Sequence, residues 1–296
     1  MNTVKVFLWC LLLWPMVVHA EWIGTSDKRR YVTDEEKMKF PYNTVVRFDN
    51  GSTSTGTFVS KNLILTCRHC VDDSDSIDYY TTDGKKHTGF VFGVSKNADY
   101  ALVATTDIFD GDVPGMYSKT SYAGTVKRIG YDNLKVLSDD ELTVIKKSVA
   151  NILANPRESD AGLSTADKVM SMMIDLEIDL LLNHNCSDSN SKGCVHCVGD
   201  RQCIFWDNHN LKVQDSCTIV SLSDGKLKTT CAGTSGASGS SLLSNSDNNI
   251  RGILVSVDPK FEIGIKTQPT SYAVKPEDYY ESVNIGIDKV EKIVNQ

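Results

Sequence analysis

Apolar and polar positions alternate in short bursts along most of the chain, with turn residues between them. Residues 42–48 begin the pattern, and 55–59, 63–66, 89–94 and 100–104 follow as further short strands. Asp49-Asn50-Gly51 and Asp83-Gly84 are the kind of breaks that separate strands. Residues 126–131 predict another strand. After them the period changes: Ser138-Asp139-Asp140-Glu141 reads as a capping box opening a helix to about residue 153. Ser164-Thr165-Ala166-Asp167 opens a second helix to about residue 182. Val169, Met173, Leu176 and Leu180 lie on one face of it, as core packing requires. Strands resume from about residue 211, over 217–220, 227–230, 241–243 and 250–257, and residues 288–294 predict a short closing helix. This rhythm predicts an all-β protein of the barrel or sandwich kind, interrupted by a helical insertion, and not alternating strand and helix.

The first apolar run differs from the rest. Lys5 precedes thirteen mostly apolar residues, 6–18, and Val18-His19-Ala20 offers small residues before Glu21. The run is short for a membrane span, so residues 1–20 read as a signal peptide and the mature chain as secreted or periplasmic. Once it is removed, no later segment predicts a membrane contact. The 296 residues carry a net charge of −7, and no basic run exceeds Lys28-Arg29-Arg30, which argues against a nucleic-acid partner. The oligomeric state is not legible.

Export changes how the cysteines read. Of nine, Cys10 leaves with the signal, and eight remain: Cys67, Cys70, Cys186, Cys194, Cys197, Cys203, Cys217 and Cys231. An even number in an oxidising compartment predicts disulfides, and neither a metal nor a cofactor is expected. A zinc site built on Cys194-x-x-Cys197 is the alternative for the Cys-rich stretch.

Three local contexts carry candidate chemistry. Cys231 precedes a run of small residues, Gly233-Thr234-Ser235-Gly236-Ala237-Ser238-Gly239-Ser240-Ser241. A Gly-x-Ser-Gly turn lets backbone approach a substrate and aims amide N–H groups at one point. His69 follows the apolar strand 63–66 between Cys67 and Cys70, which hold a ring in place as a general base requires. Asp99 stands at the mouth of the apolar strand 100–104, where a carboxylate is costly to bury without hydrogen bonds; an imidazole N–H would supply one. The order His, Asp, Ser across short strands is one of the known arrangements of a catalytic triad. It is not the Ser, Asp, His order of α/β-hydrolases.

With these motifs the chain resembles secreted chymotrypsin-like serine proteases, nearest their bacterial glutamyl-endopeptidase branch. Residues 27–34 with Phe40-Pro41-Tyr42 are similar to the start of that branch's mature domain. Leu65-Thr66-x-x-His69-Cys70-Val71, Asp99-Tyr100-Ala101-Leu102-Val103 and Gly236-Ala237-Ser238-Gly239-Ser240 resemble its three catalytic motifs. The likeness spans about residues 27–131 and 210–257. It implies two antiparallel β-barrels with the catalytic groups in the cleft between them. Residues 21–40 would form an N-terminal segment or propeptide, 41–131 the first barrel with His69 and Asp99, and 208–296 the second barrel with the nucleophile. The helical, Cys-rich insertion of residues 132–207 has no counterpart in the family.

By the same resemblance Ser238 is the nucleophile, His69 the base and Asp99 the residue that orients it. The N–H groups of Gly236 and Ser238 form the oxyanion hole, and the substrate is a protein or peptide. Ser235 heads a rival frame, Gly233-Thr234-Ser235-Gly236. Ser238 is preferred because Leu242-Leu243 then follow at strand spacing. Ala237 stands where trypsin-like zymogens carry an activating aspartate, Ala232 where trypsin places an acidic specificity residue, and Leu254 near a histidine of glutamyl endopeptidases. Neither basic nor acidic side chains are therefore favoured in the primary pocket, and Val255 and Val257 point to a small or apolar preference. Cys217 and Cys231 are expected to close a hairpin ahead of the nucleophile loop. The family's partner for Cys70 is missing at Ser54 or Thr55, so Cys67 takes that place, leaving Cys186, Cys194, Cys197 and Cys203 as two bridges. Two other functions remain open: a catalytically silent binding module on the same fold, and a thiol–disulfide oxidoreductase using Cys67-x-x-Cys70.

Overall fold

Strands whose alternate residues turn inward close the first half into a barrel. The structure, a computed structural model, describes residues 28–49, 53–71, 74–132, 210–233, 236–257 and 271–294. Strands β2 (Val45–Asp49), β3 (Thr53–Ser60), β4 (Leu63–Thr66), β5 (Ser76–Tyr80), β6 (Lys86–Val94) and β7 (Ala101–Thr105) form a closed antiparallel barrel in the order β2-β3-β4-β7-β6-β5. Val46, Phe48, Phe58, Ile64, Ile77, Tyr79, Ala101 and Val103 fill its interior. Their neighbours Val45, Leu63, Leu65 and Leu102 point outward, yet they are buried as well, in a larger core shared with the second half. This double burial is why 63–66 reads as an unbroken apolar run.

The second unit is an eight-stranded antiparallel sheet. It comprises β1 (Arg30–Tyr31), β8 (Val126–Tyr131), β9 (Leu211–Cys217), β10 (Ile219–Ser223), β11 (Lys226–Thr229), β12 (Ser241–Ser244), β13 (Ile250–Val257) and β14 (Ser271–Val274). Their order is β1-β9-β8-β12-β13-β14-β11-β10. Among the described residues its outer strands β1 and β10 do not pair, so closure is seen only in the first unit. Val126, Cys217, Ile219, Leu227, Cys231, Leu242 and Ala273 form the core on one side of this sheet.

Several elements depart from the sequence reading. Strands β1, β5 and β14 were not anticipated; each is short, and in β5 only Ile77 and Tyr79 are buried. The chain expected to strand over 217–220 instead breaks at Thr218, between β9 and β10. The closing helix is longer than the expected 288–294: α2 runs from Pro276 to Val294 (α1 is the single turn Asp34–Lys37). Tyr279, Val283, Gly286 and Val290 form its narrow buried stripe. Gly286 weakens the helical signal in sequence, but a Cβ there would sit 3.1 Å from Leu102 and 3.2 Å from Leu63. A larger residue there would have to push those two leucine side chains aside by a few tenths of an ångström, so glycine suits the close approach of the helix to the barrel. The two expected helices, the four cysteines of the insertion, Ser235 and the signal segment lie outside the described residues.

The N-terminal stretch from residue 28 is woven into the second sheet, with β1 paired to β9. Beside it lies a fully buried charge cluster. Asp132 receives the Arg29 guanidinium at 2.8 Å and the Arg128 guanidinium at 2.6 Å, and Lys212 Nζ lies 3.5 Å from Oδ1 and 2.7 Å from the Asp132 carbonyl. Burial alone would raise the Asp132 carboxyl, but the three cations outweigh it and hold it below the usual carboxylate range.

Candidate active site

The register of β4 against β7 places two candidate residues side by side. Thr66 pairs with Ala101, so the chain leaving β4 and the chain entering β7 meet at one end of the barrel. A 3₁₀ turn, Arg68–Cys70, follows β4; Cys67 precedes it and is disulfide-bonded to Cys70, which staples the turn. His69 is presented from this turn to Asp99. Its Nδ1 lies 2.7 Å from Asp99 Oδ2, and its backbone N–H donates to Asp99 Oδ1 at 3.1 Å. Because an ionised carboxylate only accepts, Nδ1 carries the proton and Nε2 keeps its lone pair. Partial burial pushes the Asp99 carboxyl up. The hydrogen bonds from the His69 ring and backbone, with the charges of His69 and Arg68, reverse this and leave it lowered. Asp99 is thus a carboxylate whose hydrogen-bonding capacity is directed at His69.

Ser238 reaches the same end of the barrel by a different route. Gly236 and Gly239 adopt φ of +92° and +83°, in the left-handed region that glycine enters without strain. The loop they shape is clamped between the two units. Thr55 N–H donates to Ser238 O at 2.8 Å, Gly239 N–H to Leu254 O at 2.7 Å, and Leu254 N–H to Ser240 O at 2.8 Å. A Cβ on Gly239 would overlap the Thr55 carbonyl oxygen and crowd Thr66 Oγ1. Thr66 hydroxyl in turn donates to Thr55 O at 2.6 Å. Gly239 follows Ser238 directly, and Thr66 stands three residues before His69, so the serine loop docks on the strand end that carries the histidine.

The hydroxyl itself is turned aside. Ser238 Oγ donates to Val255 O at 3.4 Å, a long bond, and among the described residues it has no hydrogen bond to His69. His69 Nε2 instead faces Cys67 Sγ at 3.6 Å. Among the described residues no backbone carbonyl accepts from the Gly236 or Ser238 amide. Ala237 is fully buried, as are Ala232 and Leu254, the two positions the family likeness associates with specificity.

Sequence reasoning missed the joint between the units. Thr57 and Ser241 share a hydrogen bond at 2.6 Å, and Tyr131 N–H donates to Thr55 Oγ1 at 2.9 Å. These residues read only as strand threonines and serines, because their partners are far away in sequence. A second His–Asp contact was also unforeseen. His87 Nδ1 lies 2.7 Å from Asp107 Oδ2 and the ring stacks on Tyr79, beside a cavity of about 320 Å³ on the first barrel. His69, Asp99 and Ser238 do not line it.

Cys217 and Cys231 are disulfide-bonded, as expected from the sequence. The Cys67–Cys70 pair does not sit in the surroundings that an oxidoreductase motif needs. It closes a 3₁₀ turn after a strand of an antiparallel barrel, and no helix of a βαβ unit follows. Among the described residues no helix is long and apolar enough to cross a membrane.

Residues 54–175 match the trypsin-like peptidase domain family. No curated protein matches the sequence significantly. Among solved structures, a Glu endopeptidase shares 15% identity, with 88% of this chain and 96% of that chain covered and a TM-score of 0.52. Neuropsin, a serine protease expressed in the limbic system of mouse brain, shares 12% identity, with 88% and 99% covered and a TM-score of 0.49. Over residues 54–175 the chain is thus similar to trypsin-like peptidase domains, and its fold is chymotrypsin-like.

Proposed function

We propose that the protein is an exported serine endopeptidase that cleaves proteins or peptides through Ser238, His69 and Asp99. The observation that carries this reading is the two-point grip of Asp99 on His69, on the strand end where the Ser238 loop docks. Catalysis begins with rotation of the Ser238 hydroxyl from Val255 O toward His69 Nε2. Nε2 then takes the hydroxyl proton as Oγ attacks the scissile carbonyl. Asp99 steadies the imidazolium that forms, and the Gly236 and Ser238 N–H groups receive the oxyanion. The imidazolium returns its proton to the leaving amine, and water hydrolyses the acyl-enzyme by the same route. Ala232 and Leu254 bring no charge to the primary pocket, which favours small or apolar side chains there. Removal of residues 1–20 as a signal peptide places the enzyme in a secreted or periplasmic setting.

A fluorophosphonate probe tests this directly. The mature protein becomes labelled, Ser238→Ala does not, and its kcat on a peptide substrate falls by about 10⁴- to 10⁶-fold. The turned-aside Ser238 hydroxyl supports a second reading, a folded but silent binding module. Circular dichroism of a folded wild type that neither labels nor cleaves any member of a peptide library would select that reading.

A further inference from the structure

The groups around the imidazole are also those of a metal site. Cys67 Sγ, Cys70 Sγ and His69 Nε2 all lie within 4.8 Å of one another. A tetrahedral zinc ion, with bonds of about 2.3 Å to sulfur and about 2.0 Å to nitrogen, sets its ligand atoms roughly 3.5–3.8 Å apart. The 3.6 Å between Cys67 Sγ and His69 Nε2 fits that spacing. The Cys-x-x-Cys interval recurs in structural zinc sites. Asp99 on Nδ1 completes a carboxylate–histidine arrangement that fixes the ring with Nε2 free to ligate. In the structure the two sulfurs are bonded to each other, so the site forms only once that bond is reduced and the sulfurs move apart to zinc-ligand spacing.

We infer that the reduced Cys67-x-His69-Cys70 turn is a binding site for a soft divalent cation such as zinc, and that occupancy switches the peptidase off. A thiol reductant cleaves the Cys67–Cys70 bond. Two external thiols are oxidised to one disulfide, and their two electrons and two protons pass to Cys67 and Cys70. Zinc then binds both sulfurs and His69 Nε2, releasing two thiol protons to solvent and leaving its fourth position to water. The ion occupies the lone pair that must accept the Ser238 proton, so attack on a substrate stops. Reductant and zinc are needed together. The loss of activity rests on the role proposed for His69, whereas the binding does not.

The test uses the mature protein and a Cys67→Ser/Cys70→Ser double variant, which controls for the remaining cysteines. Both are reduced with a water-soluble phosphine, which becomes phosphine oxide with oxygen from water, and are titrated with cobalt(II) and separately with zinc chloride. Reduced wild type is expected to show a thiolate-to-cobalt charge-transfer band and one more cobalt per chain than the reduced variant. With zinc it loses fluorophosphonate labelling, and a chelator restores it; the double variant, judged against its own labelling without zinc, does not respond. Equal cobalt uptake and identical spectra in the two proteins would overturn the site. So would a cobalt band accompanied by undiminished labelling under zinc, or reduced metal-free wild type that circular dichroism shows unfolded while the variant stays folded. Untreated wild type that never labels would instead refute the peptidase reading, with the cobalt spectra still reporting on the site.

Discussion

Asp99 meets His69 twice, at the ring nitrogen and at the backbone amide, and each contact does different work. The amide contact fixes where the turn sits relative to β7; the ring contact fixes the tautomer. An asparagine at 99 could preserve the first, but its amide nitrogen would turn Nδ1 into an acceptor and move the proton to Nε2. Asp99→Asn is therefore expected to lower kcat on a peptide substrate by about 10⁴-fold, the scale of that tautomer error in a triad, with KM little changed. Steady-state kinetics at neutral pH checks it. A rise in KM with kcat unchanged would instead assign Asp99 to substrate binding.

The buried cluster around Asp132 ties the N-terminal segment to β8 and β9. Removing the carboxylate strands buried cations that neither water nor another anion replaces at that point. Asp132→Ala is expected to lower unfolding free energy by about 3–5 kcal/mol, measured by urea denaturation. The pH dependence has a definite sign. Because the folded-state carboxyl is depressed, its contribution is present above the unfolded value of about 3.9 and is lost as pH falls through the lower folded value. Acid denaturation of the wild type includes this component, and Asp132→Ala lacks it. A variant as acid-sensitive as the wild type would contradict the assignment. Cluster membership is invisible from sequence: Asp132 opens the stretch that reads as helical insertion, and Arg29 lies 103 positions away. Only folding makes them neighbours.

On the scale of the whole molecule, α2 spans the joint between the two units, packing against β4 and β7 of the barrel and against β13 of the sheet. Tyr279 is its largest fully buried side chain, edge-on to Tyr100 at 6.3 Å, and among the described residues its hydroxyl has no hydrogen-bond partner. Burial pushes that phenol up from its ordinary value. An unsatisfied buried hydroxyl costs about 1–3 kcal/mol, so Tyr279→Phe is expected to raise the thermal midpoint, while Tyr279→Ala lowers stability by about 3–5 kcal/mol. Thermal melts of the two variants check this, and a destabilised Tyr279→Phe would show that the hydroxyl has a partner.

Period-two alternation was enough to find most strands of the barrel, because one face of each must leave water whatever its partner is. The contexts of His69, Asp99 and Ser238 were equally local: an apolar strand ending at a stapled turn, a carboxylate at a strand mouth, and a serine among glycines. Everything that depends on a distant partner had to wait for the tertiary structure. It set the pairing that brings residue 99 to residue 69, the seam of Thr55, Thr57, Thr66 and Ser241, the anchoring of α2 through Gly286, and the turn of the Ser238 hydroxyl toward Val255. The physical reason is range. Burial preference and turn sterics act within a few residues of the chain, whereas hydrogen bonds and charge pairs are chosen by whatever side chain packing brings within about 3 Å.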